Sequence, residues 1–460
     1  MTNRRRVGAV DSIWLNMDRP NNLMVIDSVM WFDEPVDWER LAAVLQRRVV
    51  DRYPVFRQRP VEAWGGLGPE YWEDDPDFDL SRHIIRAALP EPGDAAALER
   101  YVESQMHRPF ERDRPLWECH FIDGYLGGGA VVTRFHHALA DGMALSEVLM
   151  SMTDETPDAD LEEADSAPDI LPHVRRGLSL SVPVGPFLRG AQHAAASLPG
   201  LVRPSTAMDL ADQAWKTATI ANKLLLDSNP TTPLSGTPGI EKRATWSQGL
   251  PLAQVKRIGR MTGSTVNDVL VSALSGAIGS YLVDRGGEAT DLTTMVPVNL
   301  RPPDEPLPPE LGNRFALVLL PLPSGARRPL ARLSETKRRM DAIKGSPESM
   351  ITFGLINALG LTHASVSHLL VDFFSSKAIG VTTNVIGPTR ERYLAGTRIA
   401  GMLAWVPGSG NQTLGASILT YDNELRVGFK VDAGIVSEPQ LLLESFQEHM
   451  DDLARTAESL

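Results

Sequence analysis

The stretch VVTRFHHALADGMAL, residues 131–145, ends an apolar run with two adjacent histidines and follows them with an Asp-Gly pair. Its β-branched, alternating residues predict a strand that runs into the histidines, and the residues after Asp141 predict a helix that this aspartate caps. Because successive side chains of a strand point to opposite faces, His136 and His137 cannot both face one substrate. His137 shares its face with Phe135, so we expect one histidine to serve chemistry and the other structure.

Three other kinds of site are not favoured by this pattern. Adjacent strand histidines diverge, and Asp141 alone does not restore a chelate, so no metal site is predicted. The sequence contains no GxSxG nucleophile elbow and no GxGxxG or GxxxxGK[ST] loop for nucleotide phosphates. Cys119 alternates with Trp117 and Phe121 in a predicted strand, which is typical of a small core residue rather than a thiolate.

The kind of site that remains is one in which a histidine acts alone as a general base. An imidazole with a pKa near 6.5 can accept a proton from an alcohol at neutral pH without a covalent intermediate. Asp141 then begins the helix, and Gly142 is expected where the backbone bends or approaches another group closely. The alternative, a core histidine hydrogen-bonded to the backbone, stays open from these residues alone.

Composition restricts the class of protein. The 460 residues carry a formal net charge of -13, and such an acidic chain is not expected to bind nucleic acid, whose phosphates need a basic surface. The single cysteine is typical of a reducing compartment, so we expect a cytoplasmic protein. No signal peptide is expected, because Asp11 and Asn16 interrupt the first apolar stretch. The sequence contains no uninterrupted apolar run of about 18 residues, so no transmembrane helix is predicted.

The length predicts two α/β domains with a connector. We place the first domain at residues 1–152, an acidic linker and helical crossover at 153–241, and the second domain at 242–460. Predicted strands span 23–32, 116–124, 128–137, 292–300, 315–323, 379–388 and 415–432. Predicted helices follow Asp37 and Asp141, and others span 187–198, 211–226, 264–287 and 438–459. The pattern of 264–287 predicts a strongly amphipathic helix.

The motif HHALADG matches the HHxxxDG motif of the CoA-dependent acyltransferase superfamily. The chain also carries PLWE at 115–118, ND at 267–268 and NVIGP at 384–388, in an order and spacing that resemble the bacterial wax ester synthase/diacylglycerol acyltransferase family. The resemblance extends from DSIWL and DDPDFDLSRHI to the C-terminal helix. It implies two mixed-sheet domains like chloramphenicol acetyltransferase that face each other across a central tunnel, with acyl-CoA entering one side and the alcohol the other.

The resemblance also implies roles for the motif residues. His137, the second histidine, would be the general base, with His136, Asp141 and Gly142 completing the catalytic motif. Asp141 is expected to form a buried ion pair with Arg301. The alternative is a plain helix cap beside an exposed arginine.

The remaining motifs supply candidates for binding and support. Asn267, Asp268 and Asn384 are candidate substrate-binding or oxyanion residues, with helix capping as the alternative for the first two and a turn as the alternative for Asn384. Ile386 departs from the family, which usually has a proline there. The expected structural residues are Pro115, at the start of a strand, and Trp117, in the core.

The expected enzyme moves a long-chain acyl group to diacylglycerol or a fatty alcohol, giving triacylglycerol or wax ester, with acyl-CoA as co-substrate and no bound cofactor. Alternatives are a relative that acylates another alcohol and an inactive lipid-binding protein. The segments 353–360 and 368–374 are expected to line a tunnel or to dock on the inner membrane surface or lipid droplets, with ordinary core as the alternative. Acceptor preference, acyl chain length and oligomeric state do not follow from the sequence.

Overall fold

Helices and strands alternate through the part of the chain that the computed structural model describes, which is residues 4–63, 69–160, 229–302, 305–344 and 375–460 with single positions at 352, 354, 356, 372 and 373. The α-helices in these residues are α1 (Ala9–Met17), α2 (Trp38–Leu45), α3 (Ala95–Met106), α4 (Gly142–Ser151), α5 (Leu252–Thr262), α6 (Val266–Asp284), α7 (Pro329–Lys344) and α8 (Gln440–Glu458). The first eight strands are β1 (Arg4–Arg6), β2 (Val25–Phe32), β3 (Gln58–Glu62), β4 (Glu70–Asp74), β5 (Ile84–Ala88), β6 (Trp117–Tyr125), β7 (Gly128–His136) and β8 (Thr153–Asp154). The later strands are β9 (Lys242–Trp246), β10 (Leu250–Pro251), β11 (Leu292–Asn299), β12 (Phe315–Leu322), β13 (Thr382–Ile386), β14 (Tyr393–Leu394), β15 (Thr397–Trp405), β16 (Leu414–Tyr421) and β17 (Glu424–Asp432).

This content confirms the predicted mixed α/β class. The helices predicted at 187–198 and 211–226, and most of the segments 353–360 and 368–374, lie outside the described residues.

The first sheet has seven strands in the order β5-β6-β7-β2-β15-β14-β8. Strands β6 and β7 correspond to the predicted strands 116–124 and 128–137, and they form a hairpin whose turn uses the left-handed conformation at Leu126 and Gly127. Strand β2 pairs antiparallel with β7 from Phe32 opposite Gly129 to Val25 opposite His136. This register sets the end of β7, where the histidines lie, beside the beginning of β2.

Two strands from the C-terminal half complete this first sheet. Strand β15 pairs antiparallel with β2, and β14 pairs with β8. Thr153 and Asp154, predicted as the beginning of the linker, therefore form an edge strand. The division at residues 152 and 241 stays a prediction, but the pairing shows that the first sheet is built from both sides of it.

The second sheet follows the order β10-β17-β16-β13, with β9 also paired to β17. The predicted run 415–432 is a hairpin of β16 and β17, in which Asp422 and Asn423 both have positive φ, as a tight hairpin turn requires. Strands β11 and β12 form a separate antiparallel ribbon, and a bridge between Met295 and Val381 joins it to the chain just before β13. Residues of the ribbon, of β13 and of the end of β7 line a common cavity.

Helix α6 differs from its prediction, because it is buried on nearly all sides instead of being amphipathic. Its small residues explain this: a side chain at Gly276 would collide with His449 and Arg332, and one at Gly279 would collide with Ser324. Positions that looked like a polar face are therefore places of close helix packing. Within the described residues, α6 is also the one helix long and apolar enough to cross a membrane, and 78% of its apolar window is buried inside the molecule.

Candidate active site

A cavity lies between the end of β7, the beginning of α4 and the elements β11 to β13, and encloses about 930 Å³ of space that is partly open to solvent. Its walls are mainly aliphatic and aromatic. A second cavity of about 400 Å³ continues from it. Both cavities are lined by Ser28, Ser146, Leu149, Val385, Ala404 and Leu419. Residues from both halves of the chain therefore enclose one mostly apolar space.

His137 lies on the wall of the larger cavity, one residue beyond β7, where its backbone N–H donates to the carbonyl of Met24. Its ring stacks on Trp14 with centroids 4.2 Å apart and contacts Phe315 at 5.7 Å. Phe135 lines the same cavity, as the predicted strand alternation requires. The ring orientation is thus fixed on two sides by aromatic packing.

Hydrogen bonds fix the tautomer of His137. Its Nδ1 lies 3.0 Å from Oδ1 of Asn313. The Nδ2 of that asparagine donates to two groups that only accept, Oδ1 of Asp11 and the carbonyl of His137, each at 2.8 Å. The amide therefore turns its oxygen towards the ring, and Nδ1 carries the proton. Among the described residues Nε2 makes no hydrogen bond, so its lone pair is available.

Burial lowers the pKa of His137 to about 4, even though the carboxylate of Asp141 acts in the opposite direction. The imidazole is therefore neutral at pH 7. A neutral ring with its proton on Nδ1 is the form that can accept a proton at Nε2.

His136 has the opposite tautomer and lies outside the cavity lining. The backbone N–H of Ala138 donates to its Nδ1 at 3.1 Å, so its Nε2 carries the proton and donates to Asp18 at 3.1 Å. Asp18 also accepts a hydrogen bond from the backbone of Met24. We expected His136 in the catalytic set because of the motif, but its contacts are structural: it holds the loop that leads into β2.

Asp141 connects the two halves of the chain. Its Oδ1 caps α4 by accepting from the backbone of Ala144 at 2.8 Å, and its Oδ2 accepts from the backbone of Arg314 at 2.9 Å. A guanidinium nitrogen of Arg301 lies 3.5 Å from Oδ2, and both side chains are 4% exposed. The predicted buried pair with Arg301 is present, and the helix cap is present with it.

Gly142 lines the cavity, but its backbone has no positive φ and a Cβ atom there would meet nothing within 4 Å. The expectation of a close approach at this residue is therefore wrong. Gly142 contributes a wall without a side chain to the cavity that His137 also lines.

The three binding candidates occupy different places. Asn384 is a buried residue within β13 that lines the cavity, so the turn interpretation is wrong. Its Nδ2 lies 2.5 Å from Oδ1 of Asn267, which is not itself among the lining residues. Asp268 is fully buried and forms a capping box with Thr265 at the beginning of α6. It is a capping residue rather than a substrate contact.

The structural residues lie where the sequence predicts. Pro115 lies just before β6, and Trp117 is buried with its indole N–H donating to the carbonyl of Phe56 at 2.9 Å. Burial raises the pKa of the Cys119 thiol to about 12, which fits a core residue. Within the described ranges no group of His, Cys, Asp and Glu side chains is arranged to hold a metal ion.

Sequence reasoning missed three residues on one segment that contact or support the histidine pair. Asp11, Trp14 and Asp18 follow one another at three- and four-residue steps, so α1 and the residue after it present one face to both rings. It also missed Asn313, which lies just before β12. Only the spacing within α1 offered a local signal, because Asp11 and Asn313 are 302 residues apart.

The sequence of the chain is similar to that of one known protein family. Residues 7–270 match the wax ester synthase/diacylglycerol acyltransferase catalytic domain, and residues 311–454 match the C-terminal domain of the same family. A putative diacylglycerol O-acyltransferase of Mycobacterium tuberculosis is 27% identical over 482 residues, covering 98% of each chain.

Two solved structures share the fold. A wax ester synthase/diacylglycerol acyltransferase from Marinobacter aquaeolei VT8 superposes with a TM-score of 0.70 at 21% identity, covering 99% of this chain and 100% of that one. The first condensation domain of the calcium-dependent antibiotic synthetase gives a TM-score of 0.60 at 17% identity, with coverage of 99% and 96%.

Proposed function

Because the chain belongs to the wax ester synthase/diacylglycerol acyltransferase family, it is an acyltransferase enzyme, and we propose that it moves a long-chain acyl group from acyl-CoA to a lipid alcohol. The acceptor is diacylglycerol, a fatty alcohol or both, and the product is triacylglycerol or wax ester. Acyl-CoA is a co-substrate in this reaction, and no bound cofactor takes part.

The observation that carries the proposal is the state of His137: a neutral ring on the cavity wall, with Nδ1 engaged and Nε2 available. This nitrogen takes the proton from the acceptor hydroxyl while the oxygen attacks the thioester carbonyl carbon. The tetrahedral intermediate then collapses, the carbon–sulfur bond breaks, and the proton on Nε2 passes to the CoA sulfur. Ester and free CoA leave, and the imidazole is neutral again.

Asn384 is the candidate that supports the oxyanion. Its hydrogen bond to Asn267 forms equally well with both amides reversed, because oxygen and nitrogen of an amide are interchangeable in such a pair. In the reversed arrangement the second amide atom of Asn384, which has no partner among the described residues, is an N–H donor, and Asn384 lines the cavity. One such donor contributes about 10²- to 10³-fold in rate.

The walls of the two cavities support lipid substrates. Beyond the shared lining, the second cavity adds apolar side chains that include Met30, Met150 and Met402. Aliphatic walls of this kind favour alkyl chains by burial of apolar area, at about 25 cal/mol per Å². A long acyl or alkyl chain is therefore the substrate part that this space suits.

The test is a CoA-release assay with palmitoyl-CoA and diacylglycerol, a long-chain alcohol or no acceptor. His137→Asn keeps a donor for Asn313 but removes the base, so transfer should fall by about 10²- to 10⁴-fold while the fold stays intact. The matched control, His107→Ala, changes an exposed histidine at the end of α3 and should keep wild-type activity. Undiminished transfer in His137→Asn would refute the mechanism.

The same assay separates the alternatives. Turnover with another alcohol but not with either lipid acceptor would assign a different acceptor class. Binding of lipid without CoA release in the presence of any acceptor would indicate an inactive lipid-binding protein.

We also propose that the enzyme works at the inner membrane surface or at lipid droplets, because its acceptors do not dissolve in water. Co-sedimentation with vesicles of phosphatidylglycerol and diacylglycerol tests this. Equal amounts of protein in the pellet with and without vesicles would contradict it.

A further inference from the structure

The carboxylate of Asp11 is 5% exposed and holds Asn313 by two hydrogen bonds to one oxygen. Its Oδ1 accepts from the backbone N–H of Asn313 at 3.0 Å and from the side-chain Nδ2 at 2.8 Å. Two glycines leave room for this carboxylate, because a Cβ atom at Gly8 would collide with its Oδ2 and one at Gly312 would touch it at 3.4 Å. The surroundings are shaped for a buried carboxylate at this position.

The segment that carries Asn313 is also fixed beside the histidines. Gly312 donates its backbone N–H to Leu139 at 3.3 Å and forms a parallel bridge with Ala140. Arg301 donates to the carbonyl of Gly312 at 3.3 Å. The backbone beside Asn313 is therefore held by contacts that do not involve the side chain of Asn313.

We propose that Asp11 is a positioning residue for His137: together with the carbonyl of His137 it holds Nδ2 of Asn313 away from the ring, and the amide oxygen of Asn313 in turn keeps the imidazole proton on Nδ1. This inference rests on the proposed function in one respect, namely that Nε2 of His137 acts as the base. The hydrogen bonds of the Asp11 carboxylate go to Asn313 and not to the ring, and Asp11 is not among the residues that line the cavity. It therefore acts through Asn313.

Donor and acceptor counting shows what Asp11 contributes. Its Oδ1 accepts from the backbone N–H and from Nδ2 of Asn313, and the carbonyl of His137 accepts from the same Nδ2. An asparagine in place of Asp11 can keep both bonds with its amide oxygen, whereas an alanine removes the acceptor for both. Without that acceptor, one of the two bonds that hold Nδ2 away from the ring is lost, and the amide of Asn313 can reverse and turn a donor towards Nδ1. The ring would then carry its proton on Nε2, the wrong tautomer for a base.

The experiment compares two variants, Asp11→Ala and Asp11→Asn. Asp11→Ala removes the acceptor, so we expect it to lower kcat by about 10²-fold with little change in KM, since a wrong tautomer in a catalytic histidine costs up to about 10⁴-fold. Asp11→Asn keeps an oxygen that can accept both bonds, and it should recover at least about tenfold of that loss.

A spectroscopic measurement reads the tautomer without activity. Histidine labelled with ¹⁵N in the ring gives different Nδ1 and Nε2 signals for the two tautomers, and His137→Asn identifies the signal of His137. Asp11→Ala should move the proton from Nδ1 to Nε2. The matched control Asp18→Ala, which removes a carboxylate at the end of α1, should affect the signal of His136 and leave that of His137 unchanged.

Two results would overturn the inference: His137 that keeps its proton on Nδ1 in folded Asp11→Ala, or an Asp11→Asn variant no more active than Asp11→Ala. If Asp11→Ala does not fold, Asn313→Ala reports in its place, with a lowered kcat in support and a wild-type kcat against. Activity in His137→Asn would refute the proposed function instead, so the two failures are distinguishable.

Discussion

Asp141 and Arg301 lie 3.5 Å apart, both buried, and join the beginning of α4 to the segment that follows β11. Asp141→Ala removes this pair, the cap of α4 and the acceptor for the backbone of Arg314. Because it leaves a buried arginine without its carboxylate, we expect the free energy of unfolding in urea to fall by about 3–5 kcal/mol.

The control for that variant is Asp37→Ala, which removes the exposed cap of α2. A loss of about 1 kcal/mol is expected there, since only a helix cap is lost. Equal losses in the two variants would mean that the buried pair contributes nothing beyond the cap.

The pH dependence of catalysis reports the state of His137. Because burial lowers its pKa to about 4, the base stays unprotonated well below neutral pH. The value of kcat/KM should be level from pH 7.5 to 5.5, with circular dichroism confirming the fold at each pH. A base with the ordinary pKa of about 6.5 would retain only about one tenth of its activity at pH 5.5. Such a tenfold drop would show that the ring is not desolvated in the working enzyme.

Two substitutions of Gly142 should separate effects on stability from effects on activity. Gly142→Ala adds a Cβ to open space at the beginning of a helix, so the melting temperature should stay within a few degrees of wild type. Gly142→Leu should keep the fold as well but fill the cavity beside His137, which lowers transfer to long-chain acceptors by tenfold or more. A strongly lowered melting temperature in the alanine variant would contradict this account.

Stability should decrease on mild acidification because of three histidines. Burial lowers the pKa of His83, His137 and His449 in the folded protein. Between a pKa of about 6.5 in the unfolded chain and these lower values, the unfolded state binds more protons. The stabilisation is therefore complete above pH 6.5 and is lost as the pH falls below it, which urea unfolding at pH 7.5, 6.5 and 5.5 would measure.

His449→Gln isolates one contribution to that slope. His449 accepts a hydrogen bond from Arg332 at 3.0 Å, and a glutamine can accept it without titrating. Buried Asp11 and Glu70 have raised pKa values and act in the opposite direction, so the difference between variant and wild type is the informative quantity. The variant should lose less stability between pH 7.5 and 5.5, and identical slopes would exclude His449 as a contributor.

The sequence predicts well wherever a local pattern carries the information. Strand alternation is enough to separate His136 from His137, and Asp141 is recognisable as a cap from the helix that follows it. The pairing of Asp141 with Arg301 came from a family resemblance rather than from spacing. The predicted hairpins and the C-terminal helix follow from periodicity and turn residues.

What the sequence did not reveal depends on contacts between distant segments. Asn313 is an unremarkable loop residue until the fold brings it to Asp11 and His137. Strand β15 was not predicted, because its apolar run contains Ala400, Gly401 and Ala404, which have little preference for strands. The small residues of α6 look polar or neutral in a linear pattern, although Gly276 and Gly279 are points of close packing.

The pairing of β15 with β2 has a consequence for how the enzyme is made. One edge of β2 has no partner strand until the ribosome has passed Trp405. Asp11 has no asparagine partner until Asn313 has been synthesised, 302 residues later. A chain that has not been synthesised as far as Asn313 therefore lacks the side chain that holds the ring of His137.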